Sequence, residues 1–320
     1  MRILITGASG FVGQALVRQL ASEDHHHLRA ALRPTAKLPV DSSTLEKVIV
    51  EELAPDTNWS SALEGMEAVV HCAARVHVMN ETAGDPLSKF RRTNVEGTLA
   101  LARQAQQAGV RRFIFISSIK VNGEETQPGR PFTADDTPAP ADPYGISKME
   151  AEQALRELAR NGTMEVVVIR PVLVYGPGVK ANFLSMIRWL DKGIPLPLGG
   201  ISSNRRSLVA LDNLVDLICV CLSHPDAAGQ VFLVSDGEDL STTAMLRRIS
   251  LALGKSPFLP SLPASWLMLA ARMMGRPGIA QRLCGSLQVD ISKNRDLLGW
   301  TPRTTVDAAF QKTVDAYRRA

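Results

Sequence analysis

A short apolar run, "RILIT" at 2–6, passes directly into the glycine-spaced stretch "GASGFVG" and then into a helical pattern over 12–21. A strand that turns on glycines into a helix is a strong local constraint. The first glycine permits a tight turn, the second lets backbone approach a pyrophosphate, and the third allows close helix–strand packing. The helix start then offers oriented N–H groups to an anion. The spacing is G-x-x-G-x-x-G rather than the G-x-G-x-x-G of many dehydrogenases. Gly7, Ser9, Gly10, Phe11, Val12 and Gly13 are therefore the expected dinucleotide-binding positions.

The rhythm continues. "RAAL", "KVIV", "AVVHCAA", "RFIFIS" and "EVVVIRP" alternate with helical patterns that include 86–108 and 144–160. Such alternation reads as βαβ units and a parallel sheet covered on both faces, and runs such as "VVVI" suit strands buried on both sides. The expected fold class is α/β, a Rossmann-type doubly wound parallel sheet. After Arg170 the pattern breaks into "YGPG", "GIPLPLGG", shorter helices and the isolated strand "QVFLVS". Residues 1–170 are expected to form the NAD(P)-binding domain. Residues 171–320 should form mainly a smaller α/β substrate domain, with some segments returning to the sheet.

The 320 residues, 45% hydrophobic and 21% charged, suffice for a large core. A net charge of +4 with scattered arginine pairs and 5% aromatic content argues against nucleic acid and for anionic small molecules. Cys72, Cys219, Cys221 and Cys284 form no C-x-x-C pair and have no histidine at metal-ligand spacing, so buried free thiols are expected and no metal. "MRILITGASG" is too short in its apolar stretch for a signal peptide, so a cytoplasmic location is expected. "SPFLPSLPASWLMLAA" at 256–271 carries three prolines and falls short of a spanning helix. It reads as a loop entering an amphipathic helix, with room for peripheral membrane contact. "HHH" at 25–27 cannot converge on one ion as helix or strand and reads as a solvated turn. His71 reads as a packed strand-end residue, His77 as a substrate-lip group, and Trp59, Trp189, Trp266 and Trp300 as packing residues.

Dinucleotide folds place an acidic residue about 20 positions beyond the glycines to hold the adenosine ribose, or an arginine to accommodate a 2′-phosphate. Counting from Gly13 reaches Arg33, followed by Lys37, with no Asp or Glu between Leu28 and Val40. A guanidinium pairs well with phosphate. The expected cofactor is NADP, with NAD the alternative.

"DPYGISKMEAE" sets Tyr144 and Lys148 four residues apart on one helix face, with Asp142 as N-cap and Pro143 at the first helical position. Tyrosine titrates near about pH 10 and needs a neighbouring cation to act as an acid–base group at neutral pH. Lys148 can be that cation. Ser118, at the carboxyl end of "RFIFISS", lies where ligands of open α/β sheets bind.

Together "TGASGFVG", "HCAA", "NVEGT", "PYGISK", "RPVLVYGPG", "RRSLVALDN" and "LGWTP" resemble, in order and over essentially the whole chain, the extended short-chain dehydrogenase/reductases of the nucleotide-sugar epimerase/dehydratase family. The resemblance implies that Tyr144 is the general acid or base, that Lys148 also binds the nicotinamide ribose, and that Ser118 polarises the sugar oxygen. It places Glu52 and Leu53 beside adenine, where the family usually has Asp. It brings Ala73, Ala74 and Asn94 to the cofactor, with Pro171 beside the nicotinamide. Asn182 and Arg206 match positions that grip a nucleotide diphosphate, and Arg282 is the nearest match to a later diphosphate-binding arginine. A homodimer through the 86–108 and 144–160 helices is implied as well.

The departures from the family pattern narrow the chemistry. Dehydratases carry an Asp-Glu pair after the strand-five serine, where this chain has Ile119 and Lys120, so dehydration is not expected. Many sugar epimerases read "VYG" where Val121, Asn122 and Gly123 stand. "CAARVHVM", "SSIKVNGE" and "RLCGSLQVD" most resemble bacterial O-antigen proteins acting at C4 of UDP-N-acetylamino sugars. Two reactions share the machinery: reduction of a UDP-2-acetamido-4-keto-hexose and 4-epimerisation of UDP-glucose or UDP-N-acetylglucosamine. A mostly reduced NADP pool suits net reduction, so Arg33 favours the reductase. A non-catalytic dinucleotide sensor is a lesser alternative, because such relatives lose the tyrosine or lysine. A polyprenyl-diphosphate-linked sugar is a fourth reading.

Overall fold

The computed structural model describes residues 1–23, 25–40, 42–76, 85–127, 129–273, 281 and 283–319. The main sheet is built from β1 (Arg2–Thr6), β2 (His27–Leu32), β3 (Leu45–Ile49), β4 (Ala68–His71), β5 (Arg112–Ile116) and β6 (Glu165–Pro171), with one strand from the second half of the chain. That strand lies within "QVFLVS", which is not isolated: Val231–Val234 pairs parallel with β6, Ile169 facing Phe232. The seven strands run in the order β3-β2-β1-β4-β5-β6 and then Val231–Val234, and every pairing is parallel.

Burial follows position in the sheet. β4 and β5 are buried throughout, as strands covered on both faces must be. β3, at the edge, keeps Glu46 and Lys47 exposed, and Glu46 accepts a 2.7 Å bond from Arg29 across the pair. A charged edge discourages pairing with another chain.

On one face α1 (Phe11–Ala21) packs against the later helix Leu211–Ser223. On the other, α2 (Ser60–Leu63) and the 86–107 segment lie with α5 (Pro143–Arg160). The expected single helix over 86–108 is three pieces: α3 (Pro86–Phe90), a wider π-type turn at Arg91–Gly97, and α4 (Thr98–Gln107). Such turns cluster at functional places, and this one carries Asn94.

After Pro171 the chain builds a second, three-stranded sheet from β7 (Leu173–Tyr175), β8 (Arg206–Ala210) and the short strand Asp239–Leu240. α6 (Ala181–Asp191), the helix Thr242–Ala252 and the C-terminal helix Val306–Arg319 cover it. Tyr175, Phe183 and Phe310 meet in its core, with ring centroids 4.8 to 6.2 Å apart. The helix Leu211–Ser223 and the strand Val231–Val234 contribute instead to the core of the main sheet, as does Trp300.

Because all main-sheet strands point one way, the residues just past their carboxyl ends share one edge. Gly7, Arg33, Cys72 to Ala74, Ser117 and Ser118, and the end of β6 at Pro171 are gathered there by topology alone.

Candidate active site

The glycine turn fits a dinucleotide. Gly7 has φ 66°, and a Cβ there would lie 2.7 Å from the Ala73 nitrogen. The loop after β4 therefore lies directly across the turn. A Cβ on Gly13 would come within 2.2 Å of the Gly7 oxygen, so α1 starts pressed against the turn's backbone. Gly10 is the exposed N-cap, with no side chain capping the helix and no acid in its first turn. The first N–H groups of the helix are thus left to an anion. Ser9, Phe11 and Val12 are half-buried around that opening.

The adenine side of the cradle is more open. Arg33 is exposed one residue beyond β2, and Lys37 is exposed after it. Glu52 is exposed and Leu53 half-buried in the loop after β3. Gly97 admits that loop, since a Cβ there would sit 3.0 Å from Leu53. Ala73 and Ala74 are half-buried. Asn94 is buried and occupied: its amide donates to the Arg75 carbonyl (3.0 Å) and to Ser147 Oγ (3.0 Å), and its oxygen accepts from Arg75 N–H (2.8 Å). It holds the loop beside the cofactor cradle onto α5.

Helix α5 starts as the sequence suggested. Asp142 Oδ1 accepts from Gly145 N–H at 2.7 Å, and Pro143 takes the first turn. Lys148 is buried, donates from Nζ to the Ile116 carbonyl at 2.8 Å, and lies 4.3 Å from the Phe115 ring centroid. Burial brings its pKa down to about 8, against the opposing pull of Glu152 and Cys72. Tyr144 is half-buried and meets Phe90 edge-on, with centroids 6.0 Å apart. Desolvation, and then the charge of Asp142, hold its phenol above the ordinary range. The lowering expected from Lys148 is not seen in the protein alone, where burial penalises the phenolate. Ser118 sits in extended conformation beyond β5, its Oγ accepting from Lys120 N–H at 3.3 Å.

Of the expected substrate groups, Asn182 is exposed at the start of α6, next to Ala181 with φ 54°. Arg206 is half-buried and donates to the Gly285 carbonyl at 3.2 Å. Pro171 is buried at the end of β6, opposite Val234. Arg282 and His77 lie outside the described residues.

The sequence reading missed a buried polar frame under the site. Glu152 accepts from Ser117 Oγ (2.6 Å) and from Arg170 (2.5 and 2.9 Å), and Arg170 also donates to Asn122 Oδ1 (2.9 Å). Two signals pointed to it. Glu152 lies one helical turn beyond Lys148 on the same face, and an arginine inside the run "VVVIRP" requires a buried partner. Other corrections are smaller. The turn before β2 does bring histidines together, with ligand atoms of Glu23, His25 and His26 within 4.8 Å, because a turn escapes the geometry of helix or strand. This cluster is at the amino end of β2, opposite the catalytic edge. Trp59 and Trp300 pack as expected, whereas Trp189 and Trp266 are exposed. All four cysteines are free, but only Cys221 is fully buried.

A glycine-turn cradle next to a Ser–Tyr–Lys set is the scaffold of a dinucleotide-dependent enzyme of the short-chain dehydrogenase type. The chain belongs to the NAD dependent epimerase/dehydratase family, which matches residues 3–235. It is 48% identical to a UDP-glucose 4-epimerase of Vibrio cholerae, over 99% of this chain and 96% of that one. Among solved structures it is similar to MoeE5 in complex with UDP-glucuronic acid and NAD, at 26% identity and TM-score 0.79, over 100% of this chain and 99% of that one. It shares the fold of a UDP-glucuronic acid 4-epimerase from Bacillus cereus in complex with NAD, at 22% identity and TM-score 0.80, over 100% and 99% of the two chains.

Proposed function

We propose that the protein is an NAD-dependent 4-epimerase of UDP-sugars. The observation that carries the reading is Tyr144 and Lys148 one turn apart on α5, whose start packs against the turn that follows Ser118, with Ile119 and Lys120 where elimination chemistry would need carboxyl groups. The similarity to the Vibrio cholerae epimerase supports epimerisation over the net reduction that Arg33 suggests. The NAD in the similar MoeE5 structure supports NAD over NADP.

Held at the Gly7–Gly13 turn and the start of α1, an oxidised nicotinamide dinucleotide would supply a hydride acceptor for sugar C4 that can return the hydride to the opposite face. Tyr144, as phenolate, removes the C4 hydroxyl proton and later gives it back to the same oxygen. Ser118 Oγ donates a hydrogen bond to that oxygen as charge builds on it. Lys148, with a pKa near about 8, is largely cationic at neutral pH and favours the phenolate. No net oxidation results, so the cofactor need not leave. The stretches shared with O-antigen proteins favour UDP-N-acetylhexosamines as the substrate pair.

The test is to identify the co-purifying cofactor by mass spectrometry and to incubate the protein with UDP-glucose and with UDP-N-acetylglucosamine. Interconversion with the C4 epimer is expected. Tyr144→Phe should lower it at least about 100-fold while keeping the cofactor. Stoichiometric NADPH consumption with a UDP-4-keto-sugar, without interconversion, would establish the reductase instead.

Two assembly properties belong to this reading. A homodimer through α4 and α5 is checked by sedimentation. No helix among the described residues is long and apolar enough to cross a membrane. The helix Ala264–Met273 exposes Trp266, Leu269 and Met273, which supports contact with a lipid surface. Co-flotation with anionic vesicles checks it.

A further inference from the structure

Ser118 and Tyr144 come from different elements, the end of β5 and the start of α5, yet both must meet one sugar oxygen. Lys120 joins them. Its N–H donates to Ser118 Oγ (3.3 Å), and its ammonium reaches both Glu124 (3.3 Å) and Asp142 Oδ2. Asp142 divides its oxygens, giving Oδ1 to Gly145 N–H as N-cap and Oδ2 to Lys120. The backbones touch as well, since a Cβ on Gly145 would lie 2.8 Å from the Lys120 carbonyl oxygen. The side chains of Lys120 and Asp142 are 31% and 26% exposed, so solvent screens the pair only partly.

An N-cap carboxylate helps the helix, but this one stands two residues before a tyrosine that must lose a proton. Asp142 opposes the phenolate, second only to desolvation. Among the described residues, the helix of Tyr144 also carries Lys148, and the turn at 119–121 carries Lys120, whose ammonium donates to Glu124. α3 presents the Phe90 ring, with the Arg75 guanidinium 5.8 Å from that ring's centroid. From the end of β4, His71 and Cys72 act on Lys148, and burial keeps both uncharged at neutral pH.

We propose that Lys120 is a positioning residue: it offsets part of the charge of the helix-capping Asp142 beside Tyr144, so that the cap is kept while its opposition to the phenolate is reduced, and its backbone N–H holds Ser118 Oγ in place. The inference rests on Tyr144 being the acid–base group, and not on which sugar is bound.

The experiment is a double-variant cycle on the NAD-loaded protein: Lys120→Met, Asp142→Asn, both together, and Lys120→Arg. Asparagine remains a good N-cap, so the helix start survives. The primary readout is phenolate absorbance against pH with Tyr144→Phe as blank, which needs no substrate; the second is the acid limb of the kcat profile. Lys120→Met is expected to move the Tyr144 midpoint up by about one pH unit, within the range of nearby-charge effects. Asp142→Asn should move it down, the double variant should bring it back near the parent midpoint, and Lys120→Arg should hold the parent value. An unmoved midpoint in Lys120→Met, or in Asp142→Asn, would overturn the proposal. A normal phenolate response with no turnover of UDP-sugars would leave it standing and sink the epimerase reading instead.

Discussion

Glu152 on α5 and Arg170 on β6 form a bidentate pair, with 2.5 and 2.9 Å contacts, in which both side chains are almost wholly buried. The same carboxylate receives Ser117 Oγ, so the pair fixes the chain next to Ser118 as well as the seat of α5. Replacing one partner leaves a charge buried without compensation. Glu152→Gln is expected to cost about 3–5 kcal/mol of stability. Glu152→Gln with Arg170→Met should cost less than the sum of the two single changes. Urea unfolding of the four proteins checks both, and simple additivity would show that the pair is not energetically coupled.

His71 gives the protein an acid limit. Its ring nitrogens are hydrogen-bonded to the Thr6 hydroxyl (2.6 Å) and the Thr98 hydroxyl (3.0 Å), and burial, aided by the Lys148 charge, brings its pKa from 6.5 down to about 3. A depressed folded pKa means that the unfolded chain binds more protons in between. The contribution is complete above about pH 6.5 and is lost as pH falls toward about 3. By about pH 4 the loss is on the order of 3 kcal/mol. His71→Gln, which cannot titrate there, should lose that much less stability than the parent between about pH 7 and 4. Parallel stability curves would exclude His71 as the cause.

What could be read from the chain follows the range of the interactions. The strands β1 to β6, the turn at Gly7 to Gly13 and the Asp142 cap are local patterns, and they form where their spacing says. Pairings between distant segments were not legible in the same way. Val231–Val234 looks isolated because its partner strand ends 60 residues earlier at Pro171. Arg91–Gly97 looks like ordinary helix because a π-type turn shifts the register without changing composition. Asn94 is expected at the cofactor, and its bonds to Arg75 and Ser147 are ones that only the fold brings about. The titration of Tyr144 is only half legible for a similar reason: Lys148 is visible four residues away, but desolvation is not.

The glycine turn should not tolerate even a methyl group. A Cβ on Gly13 would stand 2.2 Å from the Gly7 oxygen and 2.9 Å from the Ala8 Cα, both backbone atoms that no rotamer change can move. Gly13→Ala must push α1 away from the turn and open the anion-binding end of the helix. Overpacking of this kind costs about 1–3 kcal/mol, and NAD affinity is expected to fall more than about 10-fold as helix N–H contacts are lost. Cofactor content after purification and NAD titration by calorimetry measure it. Unchanged cofactor content would show that this turn is not the pyrophosphate cradle.

Arg33 is where cofactor choice can be tested by itself. It stands exposed one residue past β2, in a turn closed by Ala36 N–H donating to its carbonyl (2.9 Å), on the same edge as Gly7 and Ala73. No carboxylate occurs from 28 to 40 to hold an adenosine ribose, so a 2′-phosphate would meet a cation here and no repulsion. Arg33→Asp removes one charge-assisted contact, about 1.5–3 kcal/mol, and adds repulsion toward the phosphate. The NADP-to-NAD affinity ratio should therefore fall by about 10- to 100-fold, read by titrating the cofactor-stripped protein with each dinucleotide. A large fall from a parent that prefers NADP would revive net reduction as the reaction. If the ratio does not move, Arg33 is a solvated strand-end residue and the reductase loses the residue that suggested it.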